Sequence, residues 1–124
     1  MACIAPEDAV VFTLPGIEFA GLAAPSRGAR ETSAWRLRIA PGTPATPHRL
    51  TREEVLVATA GRARATIGGT EHDLVAGGAV IVPAETDFAL ANPHGEPFEA
   101  VAILPVGGQA RIGDAPPFTP PWAV

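Results

Sequence analysis

Residues 42–61 read G-T-P-A-T-P-H-R-L-T-R-E-E-V-L-V-A-T-A-G, and residues 77–92 read G-G-A-V-I-V-P-A-E-T-D-F-A-L-A-N. Each stretch begins at a glycine, carries proline within its length and contains a short apolar run. Such runs, bounded by glycine and proline, are typical of β-strands separated by turns. The two stretches therefore predict an all-β organisation for the chain around them.

The spacing of single residues in these stretches resembles the two conserved motifs of the cupin family, which are small β-barrels of jelly-roll type. The first family motif, G-x5-H-x-H-x3-E-x6-G, is met at Gly42, His48, Glu54 and Gly61. The second, G-x5-P-x-G-x2-H-x3-N, is met at Gly77, Pro83 and Asn92. The resemblance implies an all-β, cupin-type double-stranded β-helix, and it implies that the protein pairs as a homodimer.

The same alignment departs from the family at the residues that usually hold a metal, which are three histidines and one glutamate. His48 and Glu54 occupy two of the four positions, whereas Leu50 and Phe88 occupy the other two. Leucine and phenylalanine donate no lone pair, and a metal site normally needs three or four ligands. We therefore expect no cofactor. A divalent transition metal stays open as an alternative if Glu85, Asp87, His72 or His94 supply ligands.

Short apolar runs continue along the rest of the chain and predict about nine strands without a helix. Thr32 to Ala40 alternates Trp35, Leu37 and Ile39 with arginines, which is typical of a half-buried strand. A helix competes over residues 51–59, because Thr51 and Glu54 fit a capping box, but Val55 and Val57 favour a strand. We predict one domain over residues 1–124. Its barrel core spans about 10–105, and a proline-rich tail spans 106–124 and packs onto the barrel surface through its aromatic residues.

Composition narrows the possible partners and the compartment. The formal net charge is −4 and no basic patch is visible, so we expect no nucleic-acid partner. No apolar run approaches the length of a membrane span, and no signal peptide is evident, so we expect no membrane partner and a cytoplasmic protein. The single cysteine, Cys3, permits no intramolecular disulfide and fits a reducing compartment.

His48 and Glu54 are the candidate catalytic residues. Burial raises the pKa of a carboxyl group and a nearby imidazolium lowers it, so the two could form one acid–base pair near neutral pH. Such a pair is suited to proton transfer on a small substrate. The alternative is a buried histidine satisfied by its glutamate partner, without turnover.

Six further residues are candidates for ligand binding. Leu50, Leu56, Phe88 and Leu90 would frame an apolar cavity beside the polar pair, which is the composition of a small-molecule site. Arg36 and Arg38 would bind an anionic ligand if they faced inward. The alternation of β-strand residues favours the outward direction for both, because Trp35 and Leu37 belong to the apolar face.

Three functions remain open at this point. The first is a barrel that binds a small organic molecule without the usual metal. The second is an enzyme of isomerase, epimerase, cyclase or dioxygenase type that uses His48 and Glu54, with or without a metal. The third is a structural or regulatory dimer whose cavity is packed shut, since a fold by itself does not imply a function.

Overall fold

The computed structural model describes residues 2–124 and contains two main β-sheets. Within those residues the strands are β1 (Val10–Leu14), β2 (Ile17–Ala23), β3 (Thr32–Ile39), β4 (Arg49–Leu50), β5 (Glu54–Ala60), β6 (Arg62–Ile67), β7 (Thr70–Val75), β8 (Ala79–Val82), β9 (Phe88–Ala91), β10 (Phe98–Pro105) and β11 (Ala110–Arg111). Three short 3-10 turns lie at Pro6–Asp8, Pro25–Arg27 and Pro121–Ala123. None of these helical turns is long enough to cross a membrane.

The larger sheet has six antiparallel strands in the order β1-β2-β3-β10-β5-β8. Its central pairings join segments that are far apart in the chain, because β10 lies between β3 and β5. The smaller sheet has the order β7-β6-β9. Isolated bridges extend this second layer from Phe88 to His48, and β4 then pairs with β11. A last bridge joins Ala110 of β11 to Phe118.

Alternation in the sequence decides which side of each strand is buried. In β3 the side chains of Trp35, Leu37 and Ile39 are buried, whereas Arg36 and Arg38 are exposed. The inward residues of both sheets meet in one apolar core, to which β6 contributes the fully buried Ala63 and Ala65 and the partly buried Ile67. Small side chains there allow the two layers to approach each other, so the barrel is filled by residues from opposite sheets.

The strands expected from the sequence are confirmed in place and type. The segment with competing helix and strand signals is the strand β5, since Gly61 ends it after seven residues and its β-branched residues fit a pleated sheet. The two-residue strand β11 was not predicted, because periodicity needs more residues than it contains.

One end of the barrel collects the loops that surround Glu54. The register pairs Thr32 with Pro105 and Glu54 with Val82, so the loops β2–β3, β4–β5, β8–β9 and β10–β11 all lie at this end. The last residues of the chain reach the same end, where the Ser26 hydroxyl donates to the Val124 carbonyl oxygen at 2.6 Å. This end of the molecule therefore holds the candidate site.

Candidate functional site

Glu54 is the one acidic residue with a buried side chain in the part of the chain that the structure describes, with 4% of its surface exposed. It begins β5 on the inward face, next to Leu56 and opposite Val82. Its carboxyl group forms no hydrogen bond or ion pair within residues 2–124. Burial in this apolar setting raises the pKa of Glu54 from its ordinary 4.5 to about 8, because the charged form loses its hydration.

The Glu54 oxygens are nevertheless not fully enclosed. The fully enclosed polar side-chain atoms without a partner, among residues 2–124, are His94 Nε2 and Trp122 Nε1. The Glu54 oxygens also lack a partner but do not belong to this enclosed set, so each keeps some accessible surface. A neutral carboxylic acid that keeps some accessible surface can bond to a ligand atom.

His48 lies on the segment that bridges to Phe88 and is half-buried. Its Nδ1 lies 3.1 Å from the Thr46 carbonyl oxygen, and since a carbonyl only accepts, Nδ1 carries the hydrogen. Burial lowers the pKa of His48 below its usual range, and the bond to Thr46 opposes this shift less strongly. The ring is therefore neutral at pH 7, with Nε2 as an acceptor that no protein group within residues 2–124 occupies.

The structure does not join His48 and Glu54 into the hydrogen-bonded pair expected from the sequence. Neither a hydrogen bond nor an ion pair connects the two side chains in residues 2–124. The imidazole is instead held by the backbone of Thr46, and its ring packs edge-on against Phe88 with 5.4 Å between centroids. Each polar group of the candidate site is thus left with its own unfilled hydrogen-bonding capacity.

The four apolar candidates surround this site as part of the core. Leu50, Leu56, Phe88 and Leu90 are between 2% and 9% exposed and belong to the same apolar cluster as Trp35. They pack against one another and against both sheets. Phe88, together with His48, also borders a groove that opens at the surface.

Arg36 and Arg38 lie outside this interior. Both are exposed on the outer face of the six-stranded sheet, and Arg38 Nε lies 3.6 Å from a Glu99 carboxylate oxygen of the neighbouring strand. The inward direction that would let them bind a ligand in the interior is therefore wrong for both. The alternation that buries Trp35 and Leu37 turns both guanidinium groups into solvent.

The four possible substitute metal ligands are scattered. Asp87 pairs with Arg49 at 2.6 Å, and Glu85 lies 4.0 Å from Arg111, both at the surface. His72 is exposed on β7. His94 is half-buried in a turn where its backbone N–H donates to Asn92 Oδ1, and its Nε2 is enclosed. Within residues 2–124 no three His, Cys, Asp or Glu side chains are grouped closely enough to hold a metal ion.

A groove of about 730 Å³ crosses the outer surface of the second layer and was not expected from the sequence. Its walls include Arg49, Asp87 and Arg111, and residues 113–117 of the tail form the opposite side. A smaller pocket of about 500 Å³ lies beside His94. The course of the tail creates the larger groove, and no periodicity or motif in a proline-rich segment indicates where such a segment runs.

A family model described as Cupin_2, the cupin domain, matches residues 35–104, which is more than half of the chain. The chain belongs to the Cupin_2 family. A search of curated protein sequences gave no match. The expected jelly-roll fold is thereby confirmed, and the matched residues run from β3 to β10 of this cupin.

Solved structures similar to this cupin carry several different descriptions. The polyketide cyclase RemF from Streptomyces resistomycificus has a TM-score of 0.80 and 14% identity, over 94% of this chain and 87% of that one. A sugar phosphate isomerase of the cupin superfamily from Silicibacter pomeroyi has a TM-score of 0.69 and 18% identity, over 82% and 68%. The 7S globulin of Momordica charantia has a TM-score of 0.76 and 18% identity, over 90% and 37%. Likenesses at this identity show the fold.

The metal that cupins often bind does not fit the residues of this chain. At the four motif positions the donors are one imidazole and one carboxyl group, and Leu50 and Phe88 fill the remaining space with buried hydrocarbon. Burial also keeps the Glu54 carboxyl protonated at neutral pH, whereas a metal ligand has to be deprotonated. The chemistry of this donor set favours hydrogen bonding to a neutral molecule.

Proposed function

We propose that the barrel interior of this cupin binds a small, uncharged organic molecule through Glu54 and His48. The observation that carries the proposal is the state of Glu54, a buried carboxyl group that has no protein partner and a pKa of about 8. Buried polar groups in folded proteins are nearly always hydrogen-bonded. A ligand atom would supply the missing bond.

The two polar groups define the chemistry of the ligand. The protonated Glu54 carboxyl donates a hydrogen bond, and His48 Nε2 accepts one, since Nδ1 holds the ring hydrogen. A matching molecule carries a carbonyl or ether oxygen and a hydroxyl group on an apolar frame. An anion is disfavoured, because it would be desolvated beside a neutral acid and a neutral imidazole.

Leu50, Leu56, Phe88 and Leu90 would form the apolar contacts of this ligand. Because they pack into the core, we expect these side chains to move apart when an organic molecule binds at Glu54. Binding that requires such a change associates more slowly than docking into an open site. We therefore expect slow association of a matching ligand.

Binding of 3-hydroxyacetophenone and 4-hydroxyacetophenone tests the proposal at pH 6.5, with 4-hydroxybenzoate as the anionic comparison. We expect at least one ketone to raise the melting temperature and to shift the NMR signals of Leu56 and Phe88, and the benzoate to do neither. Glu54→Met should weaken ketone binding at least tenfold. The matched control is Glu53→Met, which changes the exposed neighbour. Failure of both ketones to bind, or unchanged affinity in Glu54→Met, would refute the proposal.

A second candidate is an acid–base enzyme, and the same pKa of about 8 favours it, because a proton-transfer group works best near the operating pH. Two of the similar structures are described as a cyclase and an isomerase, at 14% and 18% identity. The measurement is exchange of the acetyl protons of bound 4-hydroxyacetophenone in D2O. Exchange that is abolished by His48→Ala would favour the enzyme, and binding without exchange would favour the binding protein.

Three expectations from the sequence, on oligomeric state, compartment and partners, remain part of the proposal. The protein is expected to form a homodimer, to lie in the cytoplasm, where Cys3 stays reduced, and to have neither a nucleic-acid nor a membrane partner. Light scattering on the purified chain measures its mass in solution. A monomer would contradict the homodimer without affecting the interior site.

A further inference from the structure

Trp122 fills a slot on the inner face of the six-stranded sheet. Its ring stacks on Phe19 with 3.7 Å between centroids and 5° between planes. Phe12 and Trp35 close the slot from two sides, each tilted and 6.3 Å away. A single ring from the end of the chain is thus held between aromatic residues of three adjacent strands.

The segment that carries this ring, residues 120–124, has few hydrogen bonds to the rest of the chain and is termed the strap. Pro120 and Pro121 lack backbone donors, and the strap forms no ladder with any strand. Within residues 2–124, its hydrogen bonds to the rest of the chain go to Ser26, which donates its hydroxyl and its backbone N–H to the Val124 carbonyl oxygen. Apolar contacts, the stacking of Trp122 and the burial of Ala123 in the core, are therefore its main attachment.

The indole of Trp122 does not suit the slot completely. Its Nε1 is enclosed and has no hydrogen-bond acceptor among residues 2–124. Burying a donor without a partner costs free energy, so the slot favours ring faces and offers nothing to a polar hydrogen. Below the strap, Gly21 leaves room for the chain, since a Cβ there would lie 3.2 Å from the Trp122 carbonyl oxygen.

We propose that the Phe12, Phe19 and Trp35 slot is a second binding site, which takes a flat apolar aromatic molecule when the strap lifts and Trp122 leaves. Trp122 is then a tethered occupant that competes with the ligand. The ligand class follows from the slot, which provides parallel and tilted ring faces without a hydrogen-bond acceptor for Nε1. This site is independent of Glu54 and His48, and it extends the function proposed above.

NMR of the two indole N–H groups tests the proposal on the full chain, with naphthalene as the apolar probe. At saturating naphthalene we expect the Trp122 Nε1–H to exchange with solvent at least tenfold faster, while the Trp35 signal serves as the internal reference. Naphthalene that fails to bind, or that binds without accelerating exchange at Trp122, would overturn the proposal.

Variants separate competition by the strap from other causes. Trp122→Gly should bind naphthalene at least tenfold more tightly than the unmodified chain, and it should bind indole more weakly than naphthalene because of the unmatched N–H. Gly21→Ala, which keeps the ring but crowds the strap, should also strengthen naphthalene binding and replaces the first variant if that one does not fold. Equal affinities in the unmodified chain and in the folded variants would contradict a competing strap.

Glu54→Met distinguishes the two proposed sites. Naphthalene binding and the exchange of Trp122 should be unchanged in this variant, since Glu54 lies on β5 and the slot lies on β1, β2 and β3. Loss of naphthalene binding in Glu54→Met would show that naphthalene binds at Glu54, and it would overturn the proposal of an independent slot. Loss of hydroxyacetophenone binding alone leaves the slot intact.

Discussion

His48 and Phe88 face each other across an antiparallel bridge, with two backbone hydrogen bonds of 2.9 and 2.8 Å and with their rings edge-on at 5.4 Å. In the family motif the position of Phe88 carries a histidine, so the structure places a hydrocarbon ring where a second imidazole would stand. The remaining donor, His48, is consequently held by packing against a phenyl ring and by Thr46.

Restoring the two lost imidazoles should create a metal site. The double variant Leu50→His with Phe88→His supplies four donors in the family arrangement, and we expect it to bind about one Zn²⁺ per chain. Elemental analysis after purification and Zn²⁺ titration measure the stoichiometry. The unmodified chain, prepared in parallel, should contain no stoichiometric transition metal. A metal retained by the unmodified chain would show that donors outside the motif positions replace the lost ones.

Stability should fall as the pH rises through the range set by Glu54. Its pKa is 4.5 when exposed and about 8 in the fold, so between these values the folded state holds a proton that the unfolded state has released. The free energy of unfolding then falls by about 1.4 kcal/mol per pH unit, and on the order of 5 kcal/mol in all. Below pH 4.5 both states are protonated and above pH 8 both are ionised, so this contribution is constant outside the range.

Glu54→Gln isolates this contribution, because glutamine keeps the shape and cannot ionise. Urea unfolding between pH 4 and pH 9 should show a smaller pH dependence in this variant and greater stability than the unmodified chain at pH 9. Glu53→Gln, at the exposed neighbour, is the control and should reproduce the unmodified profile. The same slope in Glu54→Gln would mean that another group titrates.

Gly61 should tolerate no side chain. Its φ of +68° lies in the left-handed region, and a Cβ would lie 2.3 Å from the Pro97 carbonyl oxygen. Strain and overlap together should lower the free energy of unfolding of Gly61→Ala by more than about 3 kcal/mol. Gly69→Ala shares a positive φ but meets nothing within 4 Å, and it should cost about 1 kcal/mol. Equal losses in urea unfolding would show that backbone conformation alone matters at Gly61.

Arg38 should contribute little to stability or to binding. Its ion pair with Glu99 joins side chains that are 56% and 49% exposed, and such surface pairs are worth about 0–1 kcal/mol. Thermal unfolding of Arg38→Ala should differ only slightly from the unmodified chain, and its affinity for the hydroxyacetophenones should be unchanged. A tenfold loss of affinity would show that this outer face takes part in ligand binding.

The strands could be predicted because their signal is local. In β3 the alternation of Trp35, Leu37 and Ile39 with arginine records burial residue by residue, and in β5 the β-branched residues outweigh a short helix-capping pattern. The motif spacing also indicated the family, because it assigns His48 and Glu54 to positions of the family motif. It also showed that hydrocarbon occupies two of the metal positions.

The contacts within the site could not be predicted, because they depend on distances that spacing does not contain. The partner of His48 is the Thr46 carbonyl two residues earlier, whereas the expected partner was Glu54. The aromatic residues of the tail were expected to pack on the barrel surface. Phe118 is indeed 41% exposed, but Trp122 enters the slot against Phe19, a choice decided by the shape of the sheet.

The central place of β10 has a consequence for the order in which the protein is made. This strand comes late in the chain, yet it lies between β3 and β5, which leave the ribosome first. Until residues 98–105 emerge, two apolar strand edges have no partner, and such nascent chains are prone to aggregation. Long-range pairing also slows folding. The barrel therefore closes only once residues 98–105 are available, and chaperone occupancy should be highest before that strand appears.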